Sequence, residues 1–298
     1  MVKGGVDATG ENIRICGRGI LDGGDYARFK GPTKYPVNLV NCTKAIVEGI
    51  IIRDSWCWTL VPSGCDGVRI SNVKLVASRC ENSDGIDIVN CTRVVVEDSF
   101  VRTDDDCISP KGMNRGDGRA VEDMLVTRCV LWTDRAHIWR FGAECQAKAM
   151  RNIVSKDIDV LHFQDAWFGD GPMVVTLQPA EEMPMENITF ENIRINGEGQ
   201  KILLEVRPQV TRWAKLQTPG MVRNCLFKDI VFTGDSKGVV GAIVVSGPDA
   251  VHSVENVRFE NIMRYGMPII KDSPEVHVTG HTSGIVFVGA PSGTAGDR

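Results

Sequence analysis

A short β-rich unit recurs along most of this 298-residue chain, and this repetition restricts the possible folds more than any other feature. Two of the clearest copies read Glu-Asn-Ile-Thr-Phe-Glu-Asn-Ile at 186–193 and Glu-Asn-Val-Arg-Phe-Glu-Asn-Ile at 255–262. Within each unit, apolar and polar residues alternate with a period of two, as is typical of strands. Successive apolar runs lie 23 to 37 residues apart. They begin near Ile13, Ala45, Val68, Val94, Met124, Ile153, Ile188, Cys225 and Val257.

A repeat of about 30 residues, with short strands and Asn, Asp and Gly at the turns, is typical of a parallel β-solenoid. Leucine-rich repeats would need regular Leu spacing, and propeller blades would need a longer and more regular period. We therefore predict an all-β protein with a single right-handed parallel β-helix of about nine to ten coils. The helix is predicted to span residues 1–288, with a flexible C-terminal tail at 289–298. The turn asparagines are expected to stack from coil to coil.

The open edge of a terminal coil needs protection, because unpaired strand edges are sticky. No capping helix is recognisable before Ile13. The first coil is therefore either capped by a partner subunit, which would give a homo-oligomer, or left poorly protected.

The charge pattern argues against nucleic-acid and membrane partners. The net charge is −4, and Lys and Arg are dispersed rather than clustered. No apolar run approaches the ~20 residues that a spanning helix needs.

The ten cysteines form no CxxC pair, which argues against a zinc site. Cys42, Cys65 and Cys91 occupy equivalent repeat positions, which predicts a stack of buried, reduced thiols. A disulfide between Cys57 and Cys80 remains the alternative.

Two acidic turns lie one repeat apart, at Asn82–Gly85 and Thr103–Cys107, with 21 residues from Asp84 to Asp105. On stacked coils, Asp84 and Asp105 would project from equivalent places on adjacent coils. With Asp106, which follows directly, they would converge on one surface patch. Folding does not require this, because close like charges repel and raise one another's pKa. Acid/base chemistry does use such clusters.

Other polar and aromatic residues are expected around this patch. Roughly one coil later, His137 lies in Arg-Ala-His-Ile-Trp. It is expected on the same face of the solenoid as the three aspartates. The residues predicted to contact a substrate are Lys111, Trp139, Arg140, Trp167 and Arg207.

Three motifs of the chain are Asn-Ser-Asp-Gly-Ile-Asp-Ile at 82–88, Asp-Asp-Cys-Ile-Ser-Pro-Lys at 105–111 and Trp-Thr-Leu-Val-Pro at 58–62. They resemble motifs of glycoside hydrolase family 28, the polygalacturonases and their relatives. The chain resembles the family in recognisable order from about residue 11 to 145. The β-helical dextranase/isopullulanase family 49 is the second choice. The resemblance implies the pectin-lyase-like solenoid and a secreted or periplasmic location if an N-terminal segment is missing here; there is no signal peptide in this sequence.

The resemblance also implies an inverting glycosidase that acts on a poly- or oligosaccharide without a metal or other cofactor. Asp105 would be the general acid, Asp84 and Asp106 would activate water, and His137 would tune the acid. The family's Arg-x-Lys, which grips a substrate carboxylate, has no clean match, since the corresponding coil reads Val-Val-Thr-Leu-Gln at 174–178. This favours a neutral or unusual glycan over a galacturonide.

Two other functions remain open. A polysaccharide lyase on the same fold would hold Ca²⁺ on the Asp trio, with Lys111 or Arg140 as the base. A non-catalytic glycan-binding solenoid would bind sugar and lose nothing when Asp105 is changed, because the fold alone does not decide function.

Overall fold

The computed structural model describes residues 1–77, 79–114, 116, 118–163, 173–196, 202–233 and 242–289. These residues form strands and no helix. The strands are β1 Val2–Lys3, β2 Val6–Ala8, β3 Arg14–Cys16, β4 Ile20–Asp22, β5 Val37–Val40, β6 Thr43–Glu48, β7 Ile51–Arg53, β8 Leu60–Ser63, β9 Asp66–Ser71, β10 Lys74–Ala77, β11 Ile86–Val89, β12 Thr92–Glu97, β13 Phe100–Thr103, β14 Ile108–Met113, β15 Val121–Thr127, β16 Val130–Thr133, β17 Trp139–Gly142, β18 Cys145–Gln146, β19 Met150–Phe163, β20 Val175–Gln178, β21 Pro184–Asn196, β22 Ile202–Val206, β23 Met221–Thr233, β24 Ala242–Gly247, β25 Val254–Arg264, β26 Met267–Pro268, β27 Val276–Gly280, β28 Thr282–Ser283 and β29 Val286–Val288.

Each coil contributes one strand to a parallel sheet that we call the front sheet. Its order is β2-β5-β8-β11-β14-β17-β20-β22-β24-β27, so the described residues build ten coils. The other long strands pair in parallel with their counterparts one coil away, as β19, β21, β23 and β25 do in succession. The predicted right-handed parallel β-helix of nine to ten coils is confirmed. The predicted end of the helix at residue 288 stays a prediction, and residues 290–298 of the predicted tail lie outside the described part.

The repeat motif explains the interior of the later coils. The Phe of each unit stacks on the Phe of the next, with ring centroids 5.3, 5.0 and 4.6 Å apart. The stacked rings are Phe190, Phe227, Phe259 and Phe287. Parallel register places equivalent side chains one strand spacing apart, about 4.8 Å, which suits stacked rings.

The turn asparagines form a second ladder on the outside of the coils. Each side-chain amide donates to the amide oxygen one coil earlier, over 3.1, 3.3 and 3.2 Å. The ladder consists of Asn152, Asn187, Asn224 and Asn256, all with φ between 52° and 57°. Asn tolerates this left-handed backbone better than most residues, which explains its place at the turn. The expected stacking is therefore present, as bonds from side chain to side chain.

Truncating the stack should be costly. We expect Phe227→Ala to lower the free energy of unfolding by about 3–5 kcal/mol, because a fully buried ring would leave a cavity that its neighbours cannot fill. Urea denaturation would measure the loss. Leu226→Ala, on the outward side of the same strand, is the matched control and should cost far less. Equal losses would contradict the stacking argument.

The cysteines behave as the repeat predicts. All ten are free. The backbone N–H of Cys42 donates to the sulfur of Cys65, and that of Cys65 to the sulfur of Cys91, each over 3.3 Å. Cys57 and Cys80 form no disulfide; their thiols instead face the carbonyls of Lys34 and Ser55, each at 3.1 Å.

The first coil of the β-helix is less well covered than the middle coils. In the first coil, Ile13 and Ile15 are only partly buried against the core. That a partner subunit covers this coil stays a prediction. Among the described residues, no α-helix has the length and apolar character needed to cross a membrane.

Candidate active site

The register of the front sheet brings the acidic turns together. Leu60, Ile86, Ile108 and Trp139 are aligned at the starts of four consecutive strands, β8, β11, β14 and β17. The residues two positions before these starts are Trp58, Asp84, Asp106 and His137. These four therefore lie in one row along the solenoid. The sequence had suggested that Asp84 and Asp105 are equivalent, but Asp84 is equivalent to Asp106, and Asp105 lies one position earlier.

The three aspartates converge, as predicted. One carboxylate oxygen from each of Asp84, Asp105 and Asp106 lies within 4.8 Å of the other two. Asp84 and Asp106 are buried and Asp105 is partly exposed. All three line a cavity of about 500 Å³, a size within the usual range for small-molecule sites.

Asp106 is held by His137. Its Oδ1 accepts hydrogen bonds from the backbone N–H of His137, at 3.1 Å, and from Nδ1 of the imidazole, at 2.8 Å. Nε2 of His137 lies 3.3 Å from Nη1 of Arg140, which can only donate. The ring therefore carries its proton on Nδ1. Burial alone would raise the pKa of Asp106, but His137, Arg140 and Lys111 outweigh it and lower this pKa to about 2.

Lys111 neutralises the opposite side of the cluster. Its Nζ lies 3.2 Å from Asp84, 3.3 Å from Asp87 and 3.6 Å from Glu144. Burial opposes its charge, but these carboxylates raise the pKa of Lys111 well above its ordinary value. Lys111 lines the cavity as predicted for a substrate contact, but its observed partners are protein carboxylates. Contact with a substrate stays a prediction.

The carboxyl groups differ in proton affinity. Burial, together with the charge of Asp106, raises the pKa of Asp105 to about 7. Burial also raises the pKa of Asp87 to about 7 and that of Asp84 well above its ordinary range. The cluster therefore pairs an acid that keeps its proton near neutrality, Asp105, with an anion, Asp106. Such divergent pairs mark acid/base sites.

Asp84 has one unused oxygen. Oδ1 is buried and has no hydrogen-bond partner among the described residues, whereas Oδ2 accepts a hydrogen bond from Lys111. A buried carboxylate oxygen is costly to leave without a partner. Because Asp84 lines the cavity, this oxygen is available to a water or a substrate hydroxyl.

A column of cations and rings forms one wall of the cavity. Lys111 Nζ lies 4.1 Å from the ring centroid of Trp58. Trp58 stacks on Tyr35 at 5.5 Å, and Lys34 Nζ lies 5.1 Å from the ring centroid of Tyr35. Burial raises the pKa of Tyr35, so the phenol stays neutral.

Two further cation–aromatic pairs line the cavity and were not predicted from the sequence. Arg28 lies over Phe29 at 4.9 Å, and Arg212 over Trp213 at 4.3 Å. The rings are 61% and 42% exposed, which leaves their faces available for sugar stacking. Phe29 also has φ of 59°, a strained backbone for a bulky residue and of the kind often found at functional sites. Both pairs lie in connections between coils, where the repeat gives no signal.

The remaining predicted contacts have mixed outcomes. Trp139 was predicted to contact substrate, and this prediction is wrong: the indole is fully buried and packs edge-on against Phe190. It aligns with Ile108, whose side chain is also in the core. Arg140 lines the cavity, and its contact with a substrate stays a prediction. Arg207 pairs with Glu205 and is not among the residues that line the cavity. Trp167 lies outside the described residues.

Part of the chain matches the model of a known protein family. The model of "Glycosyl hydrolases family 28" matches residues 11–126, which include Asp84, Asp105, Asp106 and Lys111 but not His137. The chain resembles family 28. The resemblance predicted from the three motifs is thereby confirmed.

A relative described as "Probable exopolygalacturonase B" from Aspergillus terreus is 28% identical over 276 residues, covering 82% of this chain. The chain spans about 60% of the length of the curated relatives it matches.

Solved structures resemble the fold. An exopolygalacturonase from Thermotoga maritima matches with TM-score 0.60 at 19% identity, covering 86% of this chain and 55% of its own. Dex49A from Penicillium minioluteum matches with TM-score 0.68 at 16% identity, covering 95% of this chain and 52% of its own. At such low identity, these similarities support the fold alone.

Proposed function

We propose that this chain is a glycoside hydrolase that cleaves O-glycosidic bonds of a poly- or oligosaccharide. The observation that carries the proposal is the close trio of Asp84, Asp105 and Asp106, whose members differ in proton affinity and line one cavity. Glycosidases need this combination of one protonated and one ionised carboxyl group beside the scissile bond. The family 28 match over residues 11–126 supports the same reaction class.

In the proposed mechanism, Asp105 protonates the glycosidic oxygen of the leaving group. Its raised pKa and partial exposure suit an acid that must hold a proton and reach the substrate. Asp106 stays ionised and accepts a proton from the attacking water, which Oδ1 of Asp84 helps to hold. His137 is a positioning residue, because its two hydrogen bonds fix the orientation of Asp106.

The distances between the three carboxyl groups determine how the attacking water can be held. Carboxyl groups in inverting enzymes are typically about 6.5–9.5 Å apart. Here the nearest oxygens of the three aspartates lie within 4.8 Å of one another. Two oxygens at such a separation can share one water through bonds of about 2.7 Å. The inverting course therefore rests on the family resemblance, and the anomer first formed, observed by proton NMR, would decide it.

We further propose a glycan that contains uronic acid as the first substrate class to test. Several relatives are described as exopolygalacturonases. The cavity supplies Lys34 and Arg212, and also Arg28, whose guanidinium pairs with Glu81 and Asn82. Basic side chains bind carboxylates through strong charge-assisted bonds. The missing Arg-x-Lys had favoured a neutral glycan. These cations lie in the connections β4–β5 and β22–β23 and supply positive charge that the missing motif would have provided.

The first test separates hydrolysis from elimination. We expect release of reducing ends from polygalacturonate or a related polymer that persists unchanged in EDTA, with no unsaturated product absorbing in the ultraviolet. The physical reason is that the ammonium of Lys111 already supplies positive charge beside Asp84. Loss of activity in EDTA, together with ultraviolet absorbance, would instead indicate a lyase that holds Ca²⁺ on the trio. Binding without product would indicate a glycan-binding solenoid.

The pH dependence should reflect Asp105. A general acid must be protonated, and the pKa of Asp105 is raised to about 7, so kcat/KM should fall as pH rises through about 7. Asp106, with its pKa lowered to about 2, stays ionised throughout and imposes no limb above that pH. Initial rates from pH 4 to 9 would measure the profile. A rate that stays constant or rises between pH 6 and 9 would contradict this role of Asp105.

A further inference from the structure

A second cavity, of about 390 Å³, adjoins the catalytic one. Lys34 and Tyr35 line both, so this end of the column of cations and rings described above forms the border between them. The second cavity lies on the same outward face of the front sheet. Ser63, Val89 and Lys111 are aligned on consecutive strands, so Ser63 lies about 10 Å from Lys111, two strand spacings away. A ligand there would be within one or two sugar residues of the cleavage site.

The two cavities differ in charge. The catalytic cavity is lined by four carboxyl groups, whereas no Asp or Glu is among the described residues that line the second. Among the described residues that line it, the one cation is Lys34, at the border. The remaining wall combines amides and a hydroxyl with aliphatic side chains. This composition does not suit an anion or a cation, but it does suit a molecule with several hydroxyls and apolar faces.

The hydrogen-bonding groups of the wall have capacity to spare. Asn38 donates to Asp7 over 2.7 Å, which leaves its own carbonyl oxygen as an acceptor. Asn41 accepts from Arg119 over 3.4 Å, which leaves its NH₂ group as a donor. The hydroxyl of Ser63 can do both. An acceptor, a donor and a hydroxyl around one space match the mixed donor and acceptor character of sugar hydroxyls.

The wall is also pre-ordered. Asn90 accepts from the backbone N–H of Met113 and Asn114, at 2.7 and 3.1 Å, and donates to the carbonyl of Asn114 at 3.1 Å. These bonds fix the end of β14 as one side of the cavity. A site fixed before binding loses less entropy when its ligand arrives.

We propose that the second cavity is a subsite for an uncharged sugar unit of the same glycan. That the cavity is a subsite for the same glycan rests on the proposed function. That the cavity binds a sugar does not. The enzyme would then act on a glycan that carries a neutral sugar within one or two residues of the cleaved bond, either in the chain or as a branch.

Saturation-transfer NMR on the Asp105→Asn protein tests this without turnover. The probes are the methyl glycosides of galactopyranose, xylopyranose, rhamnopyranose and arabinofuranose. We expect at least one to bind, and Ser63→Leu, which fills the cavity, to weaken that binding at least tenfold. Val40→Phe fills it from an exposed position and keeps the test informative if Ser63→Leu fails to fold. Thr189→Leu, on a strand outside both cavities, is the matched control and should change nothing.

Binding of none of the four glycosides, or binding that neither filling variant affects, would overturn the proposal. The hydrolase proposal fails separately, through the absence of product from the wild-type protein. Glycoside binding that depends on Ser63 would survive that failure as a sugar site.

Discussion

Replacing Asp105 with Asn is expected to lower kcat by about 10²- to 10⁴-fold, the range that general acid catalysis contributes. The amide has the size of the carboxylic acid but cannot deliver a proton to the leaving oxygen. The trio also loses one ionisable group, and Asp84 and Asp106 remain in place to hold the water. KM should change much less than kcat, because the loss falls on the transition state. Steady-state kinetics on the best polymer from the substrate panel would measure both.

Two comparisons show whether the loss is chemical. Asp98→Asn is the matched control, since Asp98 pairs with Arg128 on the surface and its φ of 52° suits Asn. It should keep full activity. An aryl glycoside with a good leaving group needs little protonation, so Asp105→Asn should lose far less activity on it. Equal losses on both substrates would remove Asp105 from the role of acid.

The sequence predicted the fold well because a β-helix repeats its physical constraints every coil. Phe190, Phe227 and Phe259 occur at one position of the motif and stack in the structure. The Asn ladder follows from the same spacing. The convergence of Asp84 and Asp106 also follows, because both precede an aligned strand start by two residues.

The sequence-based predictions failed in the connections between coils, where the repeat gives no guidance. They also failed where the repeat was used without the alternation of inward and outward side chains along a strand. Trp139 was expected in the cleft, yet its register with Ile108 directs it into the core. Alternation along β17 would have shown this, because Arg140 and not Trp139 shares the outward row of Asp87 and Ser109. Phe29 and Trp213 were missed because they lie in connections between coils.

Lys111→Met should destabilise the fold strongly. Lys111 lies within 3.6 Å of carboxylates of Asp84, Asp87 and Glu144, and it is almost fully buried. Removing one partner of a buried ion pair typically costs about 3–5 kcal/mol, because the remaining charge is left uncompensated. Urea denaturation at pH 8 would measure the loss. Lys74→Met is the matched control, since Lys74 is exposed and, within the described part of the chain, its ammonium donates to oxygens of Asn72.

The loss should depend on pH in a defined direction. In the folded protein, burial raises the pKa of Asp84 and Asp87 above the ordinary value of 3.8, and removing Lys111 raises both further. The folded state then binds more protons than the unfolded state between pH 4 and 8, so stability falls as pH rises. Lys111→Met should therefore cost less at pH 5, where these carboxyls are protonated, than at pH 8. Equal costs at both pH values would show that Lys111 acts through packing on Trp58 rather than through charge.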